Sequence, residues 1–286
     1  MGKLLLLALA ALLPLPGQQV EPPAAQLPDW VLIEANIPYD QYTETVLDIY
    51  QPGKAALGKR PGVIVIHGGG WVGGAKERMI KKHCLPYLRK GFVVCNVEYR
   101  LAKTAKAPAA VTDVLNAARW FRENAKRYRV DPKRIVVTGT SAGGHLALMV
   151  GLTPKSARLG PETRVAAVIN WYGITDVADQ LAGPNMRKYA VTWLPEQPGR
   201  LELARRVSPM TYVRKNAPAV LTIHGDADPT VPYEHGFNLT KALRDAGADA
   251  ELISVRGGGH GGFDDKQMER LYRDIFRFLK KRKIIQ

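Results

Sequence analysis

The hydrophobic residues of this chain fall into two alternating patterns. Short runs that are apolar at nearly every position predict buried strands, and they begin at Val63 (VIVIH), Phe92 (FVVCNV), Arg134 (RIVVTG), Arg164 (RVAAVINWYG) and Pro218 (PAVLTIHG). Longer segments with apolar residues three and four positions apart, such as AAVTDVLNAARWFRENAKRY from Ala109, predict helices. Strands that are apolar on both sides and separated by helices indicate a mostly parallel sheet covered by helices on both faces.

Further elements extend this α/β pattern towards both ends. VLIEANIPY and ETVLDIYQP, from Val31 and Glu44, predict an early hairpin, and ADAELISVRG from Ala248 predicts a late strand. Helices are predicted over about 78–90, 141–152, 233–247 and 263–281. Without an internal repeat or a long linker, the pattern favours one domain over residues 30–282, with a twisted sheet of about eight strands.

Residues 174–207 interrupt this alternation. The segment has neither periodicity and is rich in proline, arginine and tryptophan. Long stretches of this kind in a compact domain are usually functional insertions. We therefore predict that residues 174–207 form an insertion over one edge of the site, as a lid.

The N-terminus has the three-part layout of a secretory signal peptide. In MGKLLLLALAALLPLPGQQ, one lysine precedes an apolar run that prolines and polar residues then end. The run is shorter than the roughly 20 residues that cross a bilayer. We predict a signal peptide over residues 1–17, export to the periplasm or medium, and no stable membrane insertion after cleavage; the alternative is a membrane-anchored N-terminus or a lipid-surface helix.

The charge balance is strongly basic, with a net charge of +15 over 286 residues. The cations are scattered, as in KERMIKKH and FLKKRK, without the interleaved aromatic residues that stack on bases. This favours a solvated basic surface and argues against a nucleic-acid partner, with attraction to acidic polysaccharide as the alternative. The sequence gives no indication of the oligomeric state.

No cofactor or metal motif is visible. GxGxxG after a strand, a phosphate-binding loop and CxxC pairs are all missing from the sequence. Cys84 is expected in a helix and Cys95 in a buried strand, which favours two unpaired, packed thiols. Export would also permit a disulfide between them, and that alternative stays open.

A candidate nucleophile follows the strand RIVVTG. Gly139-Thr140-Ser141-Ala142-Gly143 is a GxSxG sequence between a predicted strand and a predicted helix, which is the context of a nucleophile elbow. A sharp strand-to-helix turn exposes the serine, and the positions two before and two after it tolerate little but glycine. The helix N-terminus also directs free N–H groups towards the site.

A serine needs a base, and the base needs a carboxylate that orients it. His260, in the loop RGGGHGGF after a strand, is the base candidate, whereas His235 lies in a predicted helix and is expected on the surface. His224 ends its strand and is expected to be a structural residue near the site. Of the two acids in that same loop, we favour Asp228, which precedes PTVP and the next helix. Asp226 is then expected to hold the loop through backbone N–H groups.

The glycine-rich loop HGGGW follows the strand VIVIH. Backbone N–H groups in such a loop can donate to the oxyanion that forms during acyl transfer, and each donor is worth roughly 3–4 kcal/mol. A loop of this type belongs at this position in enzymes with a nucleophile elbow. The predicted oxyanion donors are Gly69, Gly70 and Ala142.

Together, HGGGW, GTSAGG, HGDADPTVP and GGGHGGF resemble the α/β-hydrolase superfamily across residues 30–282. Within it the chain is similar to carboxylesterases of the hormone-sensitive-lipase-like and BD-FAE (bacterial feruloyl and acetyl esterase) types. The resemblance implies Ser141 as nucleophile, Asp228 as acid and His260 as base, with Gly69, Gly70 and Ala142 as oxyanion donors. It gives Tyr99 a structural role. Thr140 in place of aspartate, and only about a dozen residues between the predicted signal peptide and the first strand, favour the BD-FAE type with a small cap or none.

The predicted function is an exported serine carboxylesterase for short-chain or aryl esters, such as acetyl or feruloyl esters, with plant polysaccharide as one possible carrier. Trp71, Trp171, Tyr172 and Trp193 are candidates for the walls of its substrate site or, alternatively, for ordinary core. A prolyl-oligopeptidase-type peptidase is disfavoured by Ala142 and the short chain. Export disfavours an arylformamidase-like amidase, and the full set of triad residues disfavours a non-catalytic binding protein.

Overall fold

Eight strands form one sheet in the order β1-β2-β4-β3-β5-β6-β7-β8 in a computed structural model, which describes residues 22–53 and 58–286. The strands are β1 (Val31–Pro38), β2 (Val46–Pro52), β3 (Arg60–Ile66), β4 (Val93–Val97), β5 (Val130–Thr140), β6 (Ala167–Trp171), β7 (Ala219–Gly225) and β8 (Ala250–Val255). β1 and β2 form an antiparallel hairpin, β2 also pairs antiparallel with β4, and every other pairing is parallel. The predicted α/β architecture is confirmed, while the predicted signal peptide lies outside the described residues.

Helices cover both faces of the sheet. They are α1 (Pro23–Gln26), α2 (Leu85–Arg89), α3 (Ala109–Glu123), α4 (Ala142–Leu152), α5 (Lys188–Trp193), α6 (Arg200–Arg206), α7 (Tyr233–Asp245) and α8 (Asp265–Lys281). Successive residues of β3 point to opposite faces, so Ile64 joins the core beneath α3, α4 and α7, and Val65 joins the core beneath α2 and α8. Among the helices that the structure describes, none has the length and apolarity needed to cross a bilayer.

The helix predicted over about 78–90 is not a continuous α-helix. A 3₁₀ turn over Lys76–Met79 and a π-helical turn over Ile80–Cys84 come first, and α2 contributes only the last five residues. Pro86 has no N–H to donate to the carbonyl of Lys82, four residues earlier. That carbonyl instead accepts a hydrogen bond from Tyr272 Oη on α8 at 2.8 Å. The buried thiols of Cys84 and Cys95 are both free.

The segment between β6 and β7 contains more regular structure than its sequence indicated. A 3₁₀ turn (Ala178–Gln180), α5 and α6 all lie within the predicted insertion over residues 174–207. Trp193 of α5 is fully buried, so the segment packs on the domain through an apolar anchor.

Three buried histidines with lowered pKa values, His83, His145 and His235, should make the fold sensitive to acid. Burial lowers the pKa of His145 to about 4, against the opposing effect of its hydrogen bond to the Val207 carbonyl, and burial with nearby Lys82 lowers the pKa of His83 to about 3. Between about pH 6.5 and pH 4, these histidines are therefore protonated in the unfolded chain but remain neutral in the folded chain. As the pH decreases through this window, the free energy of unfolding should decrease on the order of 1 kcal/mol per pH unit for each histidine.

Urea denaturation at pH 7, 6 and 5 measures this dependence. His145→Gln removes one of the three groups, so its free energy of unfolding should fall less steeply with decreasing pH than that of the wild type. Equal slopes for the two proteins would contradict this origin of the acid sensitivity.

Candidate active site

Three loops that follow parallel strands meet at one edge of the sheet. Ser141 lies between β5 and α4, Asp228 follows β7, and His260 follows β8. The carboxyl ends of neighbouring parallel strands lie at the same edge, which is where open α/β sheets bind ligands. The topology therefore brings together residues that are far apart in the sequence.

Ser141 occupies a strained turn. Its backbone has φ 56° and ψ −121°, a region that residues with a side chain rarely adopt. The turn is held by a hydrogen bond from its N–H to the Trp171 carbonyl at 2.9 Å. α4 then passes so close to β3 that a Cβ on Gly143 would lie 2.2 Å from the carbonyl oxygen of Ile66. This close approach explains why glycine is required at that position.

Ser141, His260 and Asp228 form one hydrogen-bonded chain. His260 Nε2 lies 2.8 Å from Ser141 Oγ, and His260 Nδ1 lies 2.7 Å from Asp228 Oδ2. The serine and the histidine are partly exposed to a cleft, whereas the Asp228 side chain is fully buried behind the imidazole. The arrangement allows proton transfer between serine and imidazole with a carboxylate orienting the ring.

The Asp228 carboxylate is surrounded by donors. Its Oδ1 accepts from the N–H groups of Thr230 at 2.8 Å and Val231 at 3.0 Å. Burial acts to raise the pKa of Asp228, but hydrogen bonds from His224, His260 and Thr230 outweigh it and hold that pKa well below its usual range. The carboxylate is therefore ionised at neutral pH.

His224 is the second imidazole beside this carboxylate. It is fully buried, and its Nε2 lies 2.9 Å from the Val231 carbonyl oxygen and 3.4 Å from Asp228 Oδ2. This agrees with the structural position predicted for it. Asp226, predicted to hold the loop, accepts a hydrogen bond from the Gly257 N–H at 2.6 Å and so joins the loop after β7 to the loop after β8.

The prediction that His235 lies on the surface is wrong. Its side chain is 5% exposed, Nδ1 accepts from the Thr175 N–H at 3.0 Å, and Nε2 lies 3.1 Å from Asp179 Oδ2. The first turn of α7 faces the segment that follows β6, and this contact between distant segments leaves no trace in the local periodicity. His235 fixes that segment rather than joining the triad.

The loop after β3 is held from behind by polar contacts. His67 Nε2 lies 2.7 Å from Glu98 Oε1, and the His67 ring stacks on Tyr99 with 4.3 Å between ring centroids. Tyr99 also donates its hydroxyl to the His67 carbonyl at 3.1 Å, consistent with its expected structural role. Glu98, which immediately precedes Tyr99, lies in no motif that indicates a role for it.

The glycines of this loop adopt conformations that other residues resist. Gly69 has φ +119°, and a Cβ there would lie 2.1 Å from the Gly73 carbonyl oxygen. Gly69 and Gly70 line the same cleft as Ser141 and His260. Ala142, the first residue of α4, has an N–H with no acceptor inside the helix.

The cleft has a volume of about 580 Å³, and its walls differ from those predicted. Tyr172 lines it, but Trp71, Trp171 and Trp193 are fully buried, so their assignment to the substrate wall is wrong. Trp71 and Trp193 stack on each other with centroids 4.2 Å apart, and Trp171 packs against His83 on the other face of the sheet. Large aromatic rings are core residues as often as site residues, and sequence alone does not separate the two.

Several lining residues were not predicted from the sequence, and three of them have large side chains. Arg78 and Met79 come from the 3₁₀ turn before the π-helical turn, and Tyr189 comes from α5 within the predicted insertion. Within residues 22–53 and 58–286, no group of three or more His, Cys, Asp or Glu side chains is placed to hold a metal ion.

Comparisons with known proteins find that this chain is similar to esterases. The BD-FAE family model matches residues 47–243. Esterase LipQ of Mycobacterium tuberculosis is 31% identical over 80% of this chain and 57% of its own length, so the chain spans less than two thirds of that relative. A truncated carbohydrate esterase from gut microbiota has a TM-score of 0.75 at 31% identity, covering 86% of this chain and 95% of that one. A bifunctional GH43-CE protein of Bacteroides eggerthii has a TM-score of 0.76 at 30% identity, with coverage of 86% and 38%.

Proposed function

The chain belongs to the BD-FAE family of α/β-hydrolases, and from this premise we propose that it is a serine carboxylesterase for short-chain or aryl esters. The observation that carries the proposal is the continuous hydrogen-bonded chain from Ser141 Oγ through His260 to Asp228 at the cleft. A serine linked in this way to a base and a buried carboxylate is an activated nucleophile. The named esterases among the relatives support the same reaction class.

Acylation begins with attack of Ser141 Oγ on the ester carbonyl carbon. His260 Nε2, at 2.8 Å, takes the hydroxyl proton as the new bond forms. The ionised Asp228 holds the proton on Nδ1, which leaves Nε2 free as acceptor, and it stabilises the imidazolium that forms. The tetrahedral intermediate then expels the alcohol, which leaves with the proton from His260.

The negative charge of the intermediate develops on the former carbonyl oxygen. The N–H groups of Gly69, Gly70 and Ala142 act as its donors, each worth about 3 kcal/mol of transition-state stabilisation. The contacts of His67 with Glu98 and Tyr99 keep this loop rigid, so the donors need no rearrangement during the reaction. Water then attacks the acyl-enzyme with His260 as base, and Ser141 is regenerated.

The lining of the cleft favours a small or flat acyl group. Tyr172 packs against the His260 ring with centroids 4.8 Å apart, so one wall beside the nucleophile is aromatic. On the other side, α5 brings Tyr189 so close to the oxyanion loop that a Cβ on Gly70 would lie 2.7 Å from Tyr189 Cγ. We therefore propose that the segment 174–207 covers one side of the site. Acetyl and feruloyl esters fit these limits.

The carrier of the ester is proposed to be a polysaccharide outside the cell. The support comes from two relatives whose names identify a carbohydrate esterase from gut microbiota and a GH43-CE protein. The signal-like layout of residues 1–17 is consistent with export.

The test uses purified protein without residues 1–17 and five esters: p-nitrophenyl acetate, butyrate and octanoate, methyl ferulate, and acetylated xylan. We expect kcat/KM for the acetate or butyrate to exceed that for the octanoate by about tenfold or more, because the glycine-rich, polar lining of the cleft offers a long chain few apolar side chains to pack against. Release of acetate from xylan would support a carbohydrate ester as substrate. A folded protein that cleaves an amide or peptide but none of these esters would contradict the proposal.

A further inference from the structure

Arg78 brings a permanent positive charge into the cleft. Among the described residues that line the cleft, it is the one whose side chain is always charged, and neither aspartate nor glutamate lies on these walls. The residue is exposed and makes no ion pair within the described part of the chain. A guanidinium in the same cleft as the nucleophile is therefore available to bind a ligand.

The acidic neighbour of Arg78 is already engaged elsewhere. Glu77 pairs with Lys76, whose ammonium group also lies 3.2 Å from Asp48 Oδ2. Lys76 is 3% exposed, so this pairing is sealed beneath the turn and leaves the Arg78 charge uncompensated above it. Its uncompensated charge favours an anion in the cleft.

The turn that carries Arg78 is fixed to the sheet. Asn96 of β4 donates to the Lys76 carbonyl at 2.8 Å, and the Lys76 N–H donates to Glu98 Oε2 at 3.0 Å. Glu98 uses its other oxygen to hold His67 at the start of the oxyanion loop. One carboxylate thus anchors both the oxyanion loop and the turn with the cation, which fixes the base of Arg78 relative to Ser141.

Positive charge continues beyond the cleft. Exposed Lys81 and Lys82 follow Arg78 along the chain, in the π-helical turn. They open onto a groove between α2 and α8 whose cations outnumber its acids, with Lys81, Lys82, Arg89, Lys90 and Arg273 against Asp265 and Glu269. None of the residues that line this groove also lines the cleft, so the groove is a separate basic region.

We propose that the preferred substrates are esters that carry a carboxylate near the scissile bond, and that Arg78 pairs with this carboxylate. The inference rests on the proposed esterase function and adds the charge of the substrate to it. The planar guanidinium matches a carboxylate in a two-pronged contact, which fixes orientation as well as adding affinity. The carboxylate can belong to the alcohol half, as in an acidic sugar, or to the acyl half, as in a dicarboxylic acid hemiester.

Two matched probe pairs distinguish these halves. 4-Acetoxybenzoate against its methyl ester tests a carboxylate on the alcohol half, and monoethyl succinate against ethyl butyrate tests one on the acyl half. For each pair, the ratio of kcat/KM for the charged probe to that for the neutral probe is measured in wild type, Arg78→Gln, Arg78→Lys and Arg89→Gln. Arg89→Gln is the matched control, since it removes the same charge from an exposed residue of the neighbouring groove.

In at least one pair, Arg78→Gln should lower the ratio about tenfold, chiefly through KM, because a charge-assisted pair is lost. Arg78→Lys should retain more of the ratio than Arg78→Gln, and Arg89→Gln should retain the wild-type ratio. Raising the ionic strength should increase KM for the charged probe of that pair in the wild type, because salt screens the pairing. The affected pair identifies which half of the ester carries the carboxylate.

Ratios in Arg78→Gln within about twofold of the wild type for both pairs would overturn the inference. An equal fall in Arg89→Gln would also overturn it, since the effect would then come from the general potential. Should Arg78→Gln fail to fold, the comparison of Arg78→Lys with the wild type and the salt dependence of KM decide the matter. Absence of turnover on all four probes by folded wild type would overturn the proposed function itself.

Discussion

Ser141→Ala should lower kcat for p-nitrophenyl acetate by about 10⁶-fold, to the level that oxyanion binding alone supports. The substitution removes the Oγ that lies 2.8 Å from His260 Nε2, so no acyl-enzyme can form. The measurement is steady-state release of p-nitrophenol at pH 7, with His260 and Asp228 unchanged. Wild-type protein should also show a covalent acyl adduct by intact-mass spectrometry, and the variant should not.

The same variant should fold normally. Alanine keeps the Cβ that the strained φ of 56° already accommodates, and the partly exposed hydroxyl makes its contact to His260 alone among the side chains described. We expect the free energy of unfolding in urea to change by less than about 1 kcal/mol. Retention of more than about a tenth of the wild-type kcat by folded Ser141→Ala would exclude this serine as the nucleophile.

Asp228→Asn should lower kcat by about 10⁴-fold through the wrong imidazole tautomer. Two backbone N–H groups require an acceptor at Oδ1, so the amide oxygen of the asparagine must occupy that position and the NH₂ group must face His260. An NH₂ group can donate only, which forces the proton of His260 from Nδ1 to Nε2. The nitrogen that should accept the serine proton is then blocked.

Asp226→Asn is the control for this prediction. Asp226 lies two residues earlier on the same loop and accepts one backbone N–H, from Gly257, but does not touch the imidazole. Its amide oxygen can still accept that hydrogen bond, so kcat should fall by less than about tenfold. Equal losses of kcat in the two variants would show that loop structure, and not the tautomer of His260, limits the reaction.

Asp228→Asn should also remove a pH-dependent contribution to stability. Because the native pKa of Asp228 is depressed, its ionised form stabilises the fold at pH values above the unfolded-state pKa of about 3.9. That contribution is lost as the pH falls through the native pKa. The difference in free energy of unfolding between wild type and variant should therefore be present at pH 7 and shrink in stronger acid.

The part of the fold set by local pattern was predictable from the sequence. Continuous apolar runs such as VIVIH identified central strands because both sides of each strand face helices. The positions that follow these strands then had to meet at one edge, which placed Ser141, Asp228 and His260 within reach of one another. Neighbouring turn residues narrowed the choice further, as Pro229 did for Asp228.

Contacts between distant segments were not predictable in the same way. Trp71 and Trp193 are large aromatic residues of the kind that often line binding sites. In the structure, however, their side chains pack against each other and against His145, and only the folded chain brings these residues together. Arg78 lay inside a segment expected to be a plain helix. Pro86, which interrupts the α-helical hydrogen bonding of this segment, is visible in the sequence. The side of the turn on which Arg78 emerges, however, depends on contacts with Asn96 and Glu98.

During synthesis of the chain, the catalytic base His260 is added after the other residues of the site. β8 is the last strand in the sequence and lies at one edge of the sheet, and its pairing with β7 positions the loop that carries His260 beside Ser141. A growing or truncated chain that has folded only as far as β7 holds its nucleophile, oxyanion loop and carboxylate without the group that activates the serine. Hydrolysis recovered during refolding therefore reports that β8 has paired and that its loop has docked against Ser141.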